Sequence, residues 1–363
     1  MHVLICGGGV IGASIAYFLA RRGVRSTVIE RTGIACAASG KSGGFLALDW
    51  CAGTPLDALA RRSFALHARL ADEIAGDWSY RRMTTYAGLA TGRAGRRSAA
   101  SAFHLDWVAD EVSLSQRLGG TRTTAQVHPG RFTQVLIEAA KPHAELRIGA
   151  ITGVMRDDGR VVGVSVDGDT VAGDAMVIAM GPWSMLAAAW LPLPAVFGLK
   201  GHSLVFETGT QVPPEALFLD YREDTGAVHA PEVFPRADGT TYVCAISSES
   251  PVPLDPAAVV PDPGAIERLE AMCARLSPVL AQSPIRARQA CFRPVTRDGL
   301  PLIGRVPGLA NAYVATGHSV WGILNAPATG EAMAELILDG AASTVDLAAF
   351  DPARLPQARM RSA

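Results

Sequence analysis

Charge is scarce in this chain of 363 residues. Asp, Glu, Lys and Arg make up 18%, below the roughly 25% of an average globular protein. The formal net charge is −1, so there is no basic surplus of the kind nucleic acid demands. Intrinsic disorder is excluded too, because 49% of the residues are hydrophobic. The six cysteines, at 6, 36, 51, 244, 273 and 291, form no C-x-x-C pair, and no H-E-x-x-H occurs, which leaves no metal-ligand spacing. Long apolar runs are missing as well. The longest, Trp183 to Leu199, is interrupted by Pro192 and Pro194 and falls short of the stretch of about 20 residues that spans a bilayer. It reads as a core helix followed by a loop. The opening residues show no basic segment leading into an apolar run and a cleavage site, so no signal peptide is expected. With reduced thiols, the expectation is a cytoplasmic protein. There is no internal repeat and no low-complexity linker. The length suits one large domain or two interlocked ones.

What is present begins at the N-terminus. A strand at Val3–Cys6 meets glycines, a helix carries Ile11, Ile15, Phe18 and Leu19 on one face, and a second strand runs from Ser26 to Glu30. This is a βαβ opening. Residues 35–47 are small and glycine-rich and read as a loop suited to close approach of a ligand. Residues 55–120 read mostly helical, with Leu59, Leu66, Leu70 and Ile74 at helical spacing. A helix is expected from Phe132 to Ala140, and strands and turns over 145–180. A strand-rich stretch follows over 196–250, then an amphipathic helix over 263–280. Strand, glycine turn and a long helix from about Ala326 to Leu338 complete the chain, and the last dozen residues read as frayed.

Gly7-Gly8-Gly9-Val10-Ile11-Gly12 follows the first strand and opens the first helix. Gly7 permits the tight turn, Gly9 lets the backbone approach a pyrophosphate, and Gly12 lets helix and strand pack closely. The helix N-terminus stabilises phosphate charge. Glu30, at the end of the second strand, is placed to accept hydrogen bonds from ribose hydroxyls. A dinucleotide site follows, but the motif alone does not separate NAD from FAD.

Three further segments do. Ser39-Gly40-Lys41-Ser42-Gly43-Gly44 offers hydroxyls and backbone N–H groups to a diphosphate; taken alone, it is equally a flexible surface turn. Val177-Ile178-Ala179-Met180-Gly181-Pro182-Trp183-Ser184 is a strand entering a Gly-Pro turn. The most specific stretch runs Arg293-Pro294-Val295-Thr296-Arg297-Asp298-Gly299-Leu300-Pro301-Leu302-Ile303-Gly304. It continues through Thr316-Gly317-His318 to Gly322-Ile323-Leu324-Asn325. With these segments the chain resembles the D-amino-acid oxidase/glycine oxidase family of FAD-dependent amine oxidoreductases, from Met1 to about Leu338. The resemblance is thinnest at 50–120 and 205–285.

That resemblance implies FAD, held by the glycine motif (Gly7, Gly9, Val10, Ile11, Gly12), by Glu30 and Arg31, and by the Ser39–Gly44 loop. It adds Ile151, Ala179, Gly181 and Trp183, then Gly304, Gly317, His318, Gly322, Ile323 and Leu324. The helix that follows would stabilise negative charge on a reduced flavin. In the family, an arginine at the position of Arg293 pairs bidentately with the substrate carboxylate; the bland alternative is a structural arginine. Glycine oxidases carry an arginine and an asparagine before Gly-Ile-Leu, where this chain has Ser319, Val320 and Trp321. The missing cation weakens glycine as substrate, and Trp321 would wall a pocket. At Glu232-Val233-Phe234 the family often places a tyrosine; Glu232 either receives an ammonium group or faces solvent. Cys291 matches a region where sarcosine oxidases tether flavin covalently, but its Arg-Pro context resembles the noncovalent members. Lys41 and Lys200 are two of only three lysines. Near a flavin a lysine assists oxygen reduction, and otherwise Lys200 ends a surface strand. His318 reads as a packing or flavin-contact residue rather than a base. His202 and His229 either line the pocket or are satisfied core or surface histidines.

The implied fold is α/β. A Rossmann-like FAD-binding domain from 1–50, 120–195 and 290–345 interlocks with an α+β substrate domain on an antiparallel sheet, from 51–119 and 196–289, and 346–363 is a tail. The implied reaction oxidises the C–N bond of a small amino acid or secondary amine acid by hydride transfer to flavin N5. The imine is then hydrolysed and dioxygen is reduced to peroxide. Alternatives are a dehydrogenase with a quinone or carrier-protein acceptor, or an enzyme of specialised metabolism acting on an unusual amine. Expected partners are the small-molecule amine and the electron acceptor, with no nucleic acid and no membrane span.

Overall fold

The computed structural model describes residues 1–91, 101–223 and 225–358. Its first layer is a six-stranded sheet in the order Leu302–Arg305, Ala312–Thr316, Ala175–Ile178, His2–Cys6, Arg25–Glu30, Ala144–Ile148. All neighbours are parallel except Leu302–Arg305, which runs antiparallel to Ala312–Thr316. Val3, Leu4, Ile5 and Cys6 are fully buried, as the central strand of a sheet covered on both faces must be. Ile151–Asp157, Arg160–Val166 and Asp169–Ala172 form a small antiparallel sheet whose Val161, Val164 and Val166 close one face of the large one.

The other face carries four helices, Val10–Ala20, Asp57–Glu73, Pro129–Ala140 and Gly322–Asp339, around one shared core. Asp57–Glu73 buries Leu59, Phe64, Leu66 and Leu70 there, at the spacing of one helix face. The segment 51–119 is therefore split. Its helix packs with the nucleotide-side core, although the sequence reading put the whole segment with the substrate region.

The second layer is a large sheet in the order Ile285–Val295, Phe197–Glu207, Thr240–Ser248, Glu232–Pro235, Glu215–Arg222, Thr84–Thr91, Val112–Gly119, with Val228–His229 on its flank. It is antiparallel apart from one pair: Thr84–Thr91 runs parallel to Glu215–Arg222. The helix Ala265–Leu276 lays Ile266, Leu269, Met272, Cys273 and Leu276 on this sheet.

Four expectations need correction. Over 55–120 only Asp57–Glu73 is helical, and Thr84–Thr91 and Val112–Gly119 are strands; residues 92–100 of that stretch lie outside the described residues. Thr84-Thr85-Tyr86 and Val112-Ser113-Leu114 carry strand-forming residues, and the leucine spacing upstream masked them. The run from Trp183 is a 3₁₀ helix, Gly181–Ala189, and the strand Phe197–Glu207 begins soon after Pro192 and Pro194. The C-terminal helix starts at Gly322, four residues earlier than expected, and takes Pro327 inside it. Over 352–358 the tail is anchored rather than frayed, and the residues leading into it are packed. Phe350 is fully buried, and Arg354 pairs with Asp298 at 2.7 Å. The frayed reading of 359–363 lies outside the described residues. Among the described residues no helix is long and apolar enough to cross a membrane.

Candidate active site

One cleft runs between the two layers, from Glu30 and Ile151 at one end to Trp321 and Arg293 at the other. Its first wall is the glycine turn. Gly7 has φ +118°, and a Cβ there would lie 2.4 Å from the Ala179 carbonyl oxygen, so only glycine lets the two strand ends meet. The helix Val10–Ala20 opens onto the cleft with no side-chain cap from Gly9 and no acid in its first turn. Its N-terminal N–H groups are thus oriented as an anion site. Ser39 Oγ already accepts the Val10 N–H at 2.9 Å, which ties the Ser39–Gly44 loop to this helix end. Glu30 accepts from the Gly8 N–H at 2.7 Å and from the Thr32 N–H at 3.0 Å. The acid therefore fixes the turn while lining the cleft.

Ile151, Ala179, Gly181 and Trp183 form the middle of the wall. Residues 249–262 cross over it from the substrate sheet. Trp183 Nε1 donates to the Pro253 carbonyl at 2.7 Å, and Arg31 donates to that of Leu254 at 2.5 Å. The crossing segment is anchored at Asp262, which meets Lys200 Nζ at 2.5 Å and accepts from Ser248 Oγ. The Asp262 N–H donates to His202 Nε2 at 3.0 Å, and His202 Nδ1 contacts the Ile246 carbonyl at 3.1 Å. Lys200 is thus a buried ion-pair partner, not a surface strand end, and His202 is a satisfied core histidine. His229 pairs with Glu223 at 2.9 Å, outside the cleft wall.

His318, Ser319, Val320, Trp321, Gly322 and Ile323 close the far end. Ser319 has φ +50°, a strained conformation for serine of the kind that gathers at functional sites. His318 is buried, and desolvation drives its pKa down to about 3. It is neutral at physiological pH, which excludes it as a base titrating near neutrality. Its Nε2 contacts Thr329 Oγ1 at 3.1 Å, and its Nδ1 has no partner. The helix behind it has an internal repair. Pro327 has no N–H for the Ile323 carbonyl, and His67 Nε2 lies 2.9 Å from that oxygen. Fully buried, His67 is pushed down to about 4, so it serves as a neutral donor.

The substrate sheet supplies the last wall from several adjacent strands. Register places Phe218 beside Glu232, Glu232 beside Cys244, and Gly201 beside Cys291. The Arg293 guanidinium lies over Gly201, where a Cβ would come within 3.1 Å of Nη2; that bare backbone is what leaves the cation its place. Arg293 reaches Ser247 Oγ at 3.5 Å and has no carboxylate within ion-pair distance among the described residues. Burial pushes the Glu232 carboxyl above its usual range, against the pull of Arg293. Among the described residues its one hydrogen bond from another side chain comes from the Cys244 thiol, at 3.5 Å. Burial likewise raises the Cys291 thiol, with Arg293 and Lys41 opposing.

Most of the residues expected from sequence meet here: Gly7, Gly9, Val10, Ile11, Glu30, Arg31, Ser39 and Ser42–Gly44, with Glu232, Arg293 and the 318–323 segment. Six do not line the cleft. Gly12 packs on the Gly7 carbonyl, Gly40 on that of Ala35, and Gly317 against Thr296. Gly304 sits in a strand beside Pro352, and Leu324 is buried in the core. Lys41 turns its Nζ to the Ala290 carbonyl at 3.3 Å. Sequence reasoning missed Phe45, Trp50 and Phe218, which also line the cleft, and it missed His67. Phe45 directly follows Gly43-Gly44, a signal that was legible. The other three depend on register or packing.

The arrangement fits FAD. It offers a helix N-terminus flanked by the glycine turn and the Ser39 hydroxyl for a diphosphate, and an acid at the end of the second strand. Two buried polar atoms without partners, Ser42 Oγ and His318 Nδ1, belong to residues lining the cleft. Among the described residues no cluster of three or more His, Cys, Asp and Glu is arranged to hold a metal. Comparison with known proteins agrees with this geometry. The family model described as "DAO: FAD dependent oxidoreductase" matches residues 2–336. A Schizosaccharomyces pombe protein named as an oxidoreductase, C1F5.03c, is 30% identical over 97% of each chain. The glycine oxidase of Pseudomonas aeruginosa is 29% identical over 97% of this chain and 98% of its own. Among solved structures, the L-proline dehydrogenase of P. horikoshii superposes with a TM-score of 0.79, at 19% identity over 97% of both chains.

Proposed function

The chain belongs to the DAO family of FAD-dependent oxidoreductases, and from that premise we propose that it oxidises the C–N bond of an amino acid or secondary amine acid. FAD, when bound, supplies the acceptor for the hydride leaving the substrate carbon, at flavin N5. The protein's part is position and electrostatics. The glycine turn, Ser39, Ser42 and Glu30 would hold the nucleotide end, and the 318–323 segment would hold the ring end. Desolvation raises the Cys291 thiol above its ordinary value, against Arg293 and Lys41, which disfavours the thiolate that a covalent flavin link would need; the proposed binding of FAD is noncovalent.

One observation carries the reading: the Arg293 guanidinium and the half-buried Glu232 carboxyl face one cleft, and among the described residues neither has an oppositely charged side chain at ion-pair distance. A ligand that carries a carboxylate and an amine would complete both groups. An amino acid does so, its carboxylate on the Arg293 fork and its amine at Glu232. A raised carboxyl takes up the proton that the ammonium must lose before oxidation. The imine product hydrolyses in water, and dioxygen is the proposed final acceptor. The proline dehydrogenase likeness keeps a carrier or quinone acceptor as the second reading.

The test is anaerobic mixing of the FAD-loaded protein with amines that carry a carboxylate, watching the oxidised-flavin band at about 450 nm. Bleaching is expected, and admission of air with peroxide assay separates oxidase from dehydrogenase. In Arg293→Ala the apparent substrate constant should rise at least about 30-fold, the lower bound for breaking a desolvated charge pair, with FAD retained. An unchanged constant overturns the carboxylate assignment.

A further inference from the structure

Resting on that reading, we infer that the substrate carries a bulky apolar or aromatic substituent beside its amine, larger than the small amino acid suggested by sequence. The inference comes from three rings that the proposed chemistry does not use. Phe45, Trp50 and Phe218 touch one another, with centroids 5.1 Å apart for Phe45–Trp50, 5.0 Å for Phe45–Phe218 and 4.7 Å for Trp50–Phe218. Phe234 stacks under Phe45 at 5.2 Å and 13°. All four line the cleft. Phe234 is buried, whereas Phe45, Trp50 and Phe218 each keep part of their surface accessible.

Order along the sheet gives the rings their role. Taken strand by strand, Arg293 comes from the edge strand and leans over Gly201; two residues along from Gly201, Ser203 pairs with Cys244, Cys244 with Glu232, and Glu232 with Phe218. The sequence of groups is cation, acid, aromatic. An amino acid presents carboxylate, amine and side chain from one carbon. With the first two engaged, the third group is directed to the Phe218 end, onto Phe45 and Trp50. Glycine would leave that apolar wall uncovered. A substrate that covers it gains the transfer free energy of its own side chain and edge or face contacts with the rings. Beyond Glu232 on that side the register row continues through Phe218, Ala87 and Gln116, so among the described residues of that row a charged substituent finds no partner.

The experiment uses the FAD-loaded protein and has two readouts. The first is anaerobic flavin reduction by glycine, alanine, leucine and phenylalanine, both enantiomers where they exist. The apparent dissociation constant should fall at least about tenfold from alanine to leucine or phenylalanine, the factor that burial of such a side chain supplies, with glycine weakest. The second is perturbation of the flavin spectrum by carboxylates that hold no oxidisable C–N bond. Phenylacetate should bind at least about tenfold tighter than acetate. Phe218→Ala should collapse both ratios, and Phe218→Leu should retain part of them. Glycine or alanine matching phenylalanine would overturn the inference while leaving the amine-oxidation reading intact. If no carboxylated amine bleaches the flavin, that reading falls. In that case equal binding of phenylacetate and acetate removes the aromatic subsite as well, and tighter binding of phenylacetate upholds it. Ratios unchanged in Phe218→Ala would also overturn it.

Discussion

Replacing His67 by phenylalanine tests whether the helix that ends the cofactor cleft depends on a donor from another element. The ring volume and its contact with Phe132, at 4.8 Å between centroids, are kept, so the cavity contribution is small. The loss is the N–H that serves the Ile323 carbonyl at 2.9 Å. Pro327 has no proton for that oxygen, and an unsatisfied buried acceptor costs about 1–3 kcal/mol. The assay is urea unfolding of the apoprotein near pH 8, with the midpoint shifted at constant slope. Pro327→Ala returns an amide N–H to the same carbonyl. In that background the cost of His67→Phe should shrink by about 1 kcal/mol or more. Additivity of the two substitutions within about 0.5 kcal/mol would refute the reasoning. A pH arm adds a second check. The folded chain keeps His67 neutral, so the unfolded chain binds the extra proton. Stability is therefore full above the ordinary histidine range and declines as pH falls from 6.5 to about 4. Across that interval the loss is about 3 kcal/mol at about 1.4 kcal/mol per pH unit, and His67→Phe should remove this part of the acid sensitivity.

Other expectations follow from the cleft. Gly7→Ala should abolish FAD retention, because its Cβ would lie 2.4 Å from the Ala179 carbonyl oxygen at a φ that alanine disfavours; flavin absorbance of the purified protein measures this. Asp262→Asn should speed FAD release several-fold by freeing the segment bonded to Trp183 and Arg31. In the native chain, Lys200 and Ser248 hold the Asp262 carboxyl below its usual range. The clamp is therefore intact above the ordinary carboxylate range and is lost as pH falls through the lowered value, which stopped-flow flavin fluorescence can follow. Glu232→Gln should erase an inflection in the pH profile of flavin reduction that lies above the ordinary carboxylate range; a profile unchanged by the substitution would remove Glu232 from proton handling.

Much of the nucleotide half was legible in the residues themselves. The turn at Gly7–Gly12, the acid at Glu30 and the Arg293–Gly304 stretch are local patterns, because a phosphate-binding turn and its strand and helix are made by contiguous chain. The small hydroxyl-bearing loop at Ser39–Gly44 was also visible, but its docking on Val10 is a contact over 29 positions that no spacing announces. The strands at 84–91 and 112–119 were misread, since their alternation is short and the sheet they complete is assembled from distant segments. The split of 51–119 between two cores was equally hidden, because a helix face records that it is apolar but not what it will meet.

Sequence alone determined the class of cofactor turn, the family pattern and the arginine proposed to receive a carboxylate. These rest on short-range geometry: a glycine that must adopt positive φ, a helix end, a guanidinium fork. Only the tertiary structure decided what surrounds that cation. It paired Glu232 with Phe218 by strand register, laid Arg293 over Gly201 two strands away, set Phe45 and Trp50 against Phe218, buried Lys200 on Asp262, and lent His67 to a helix that Pro327 leaves one hydrogen bond short. Each of these depends on burial and on pairing between remote segments, and such relations come into being only when the chain closes on itself.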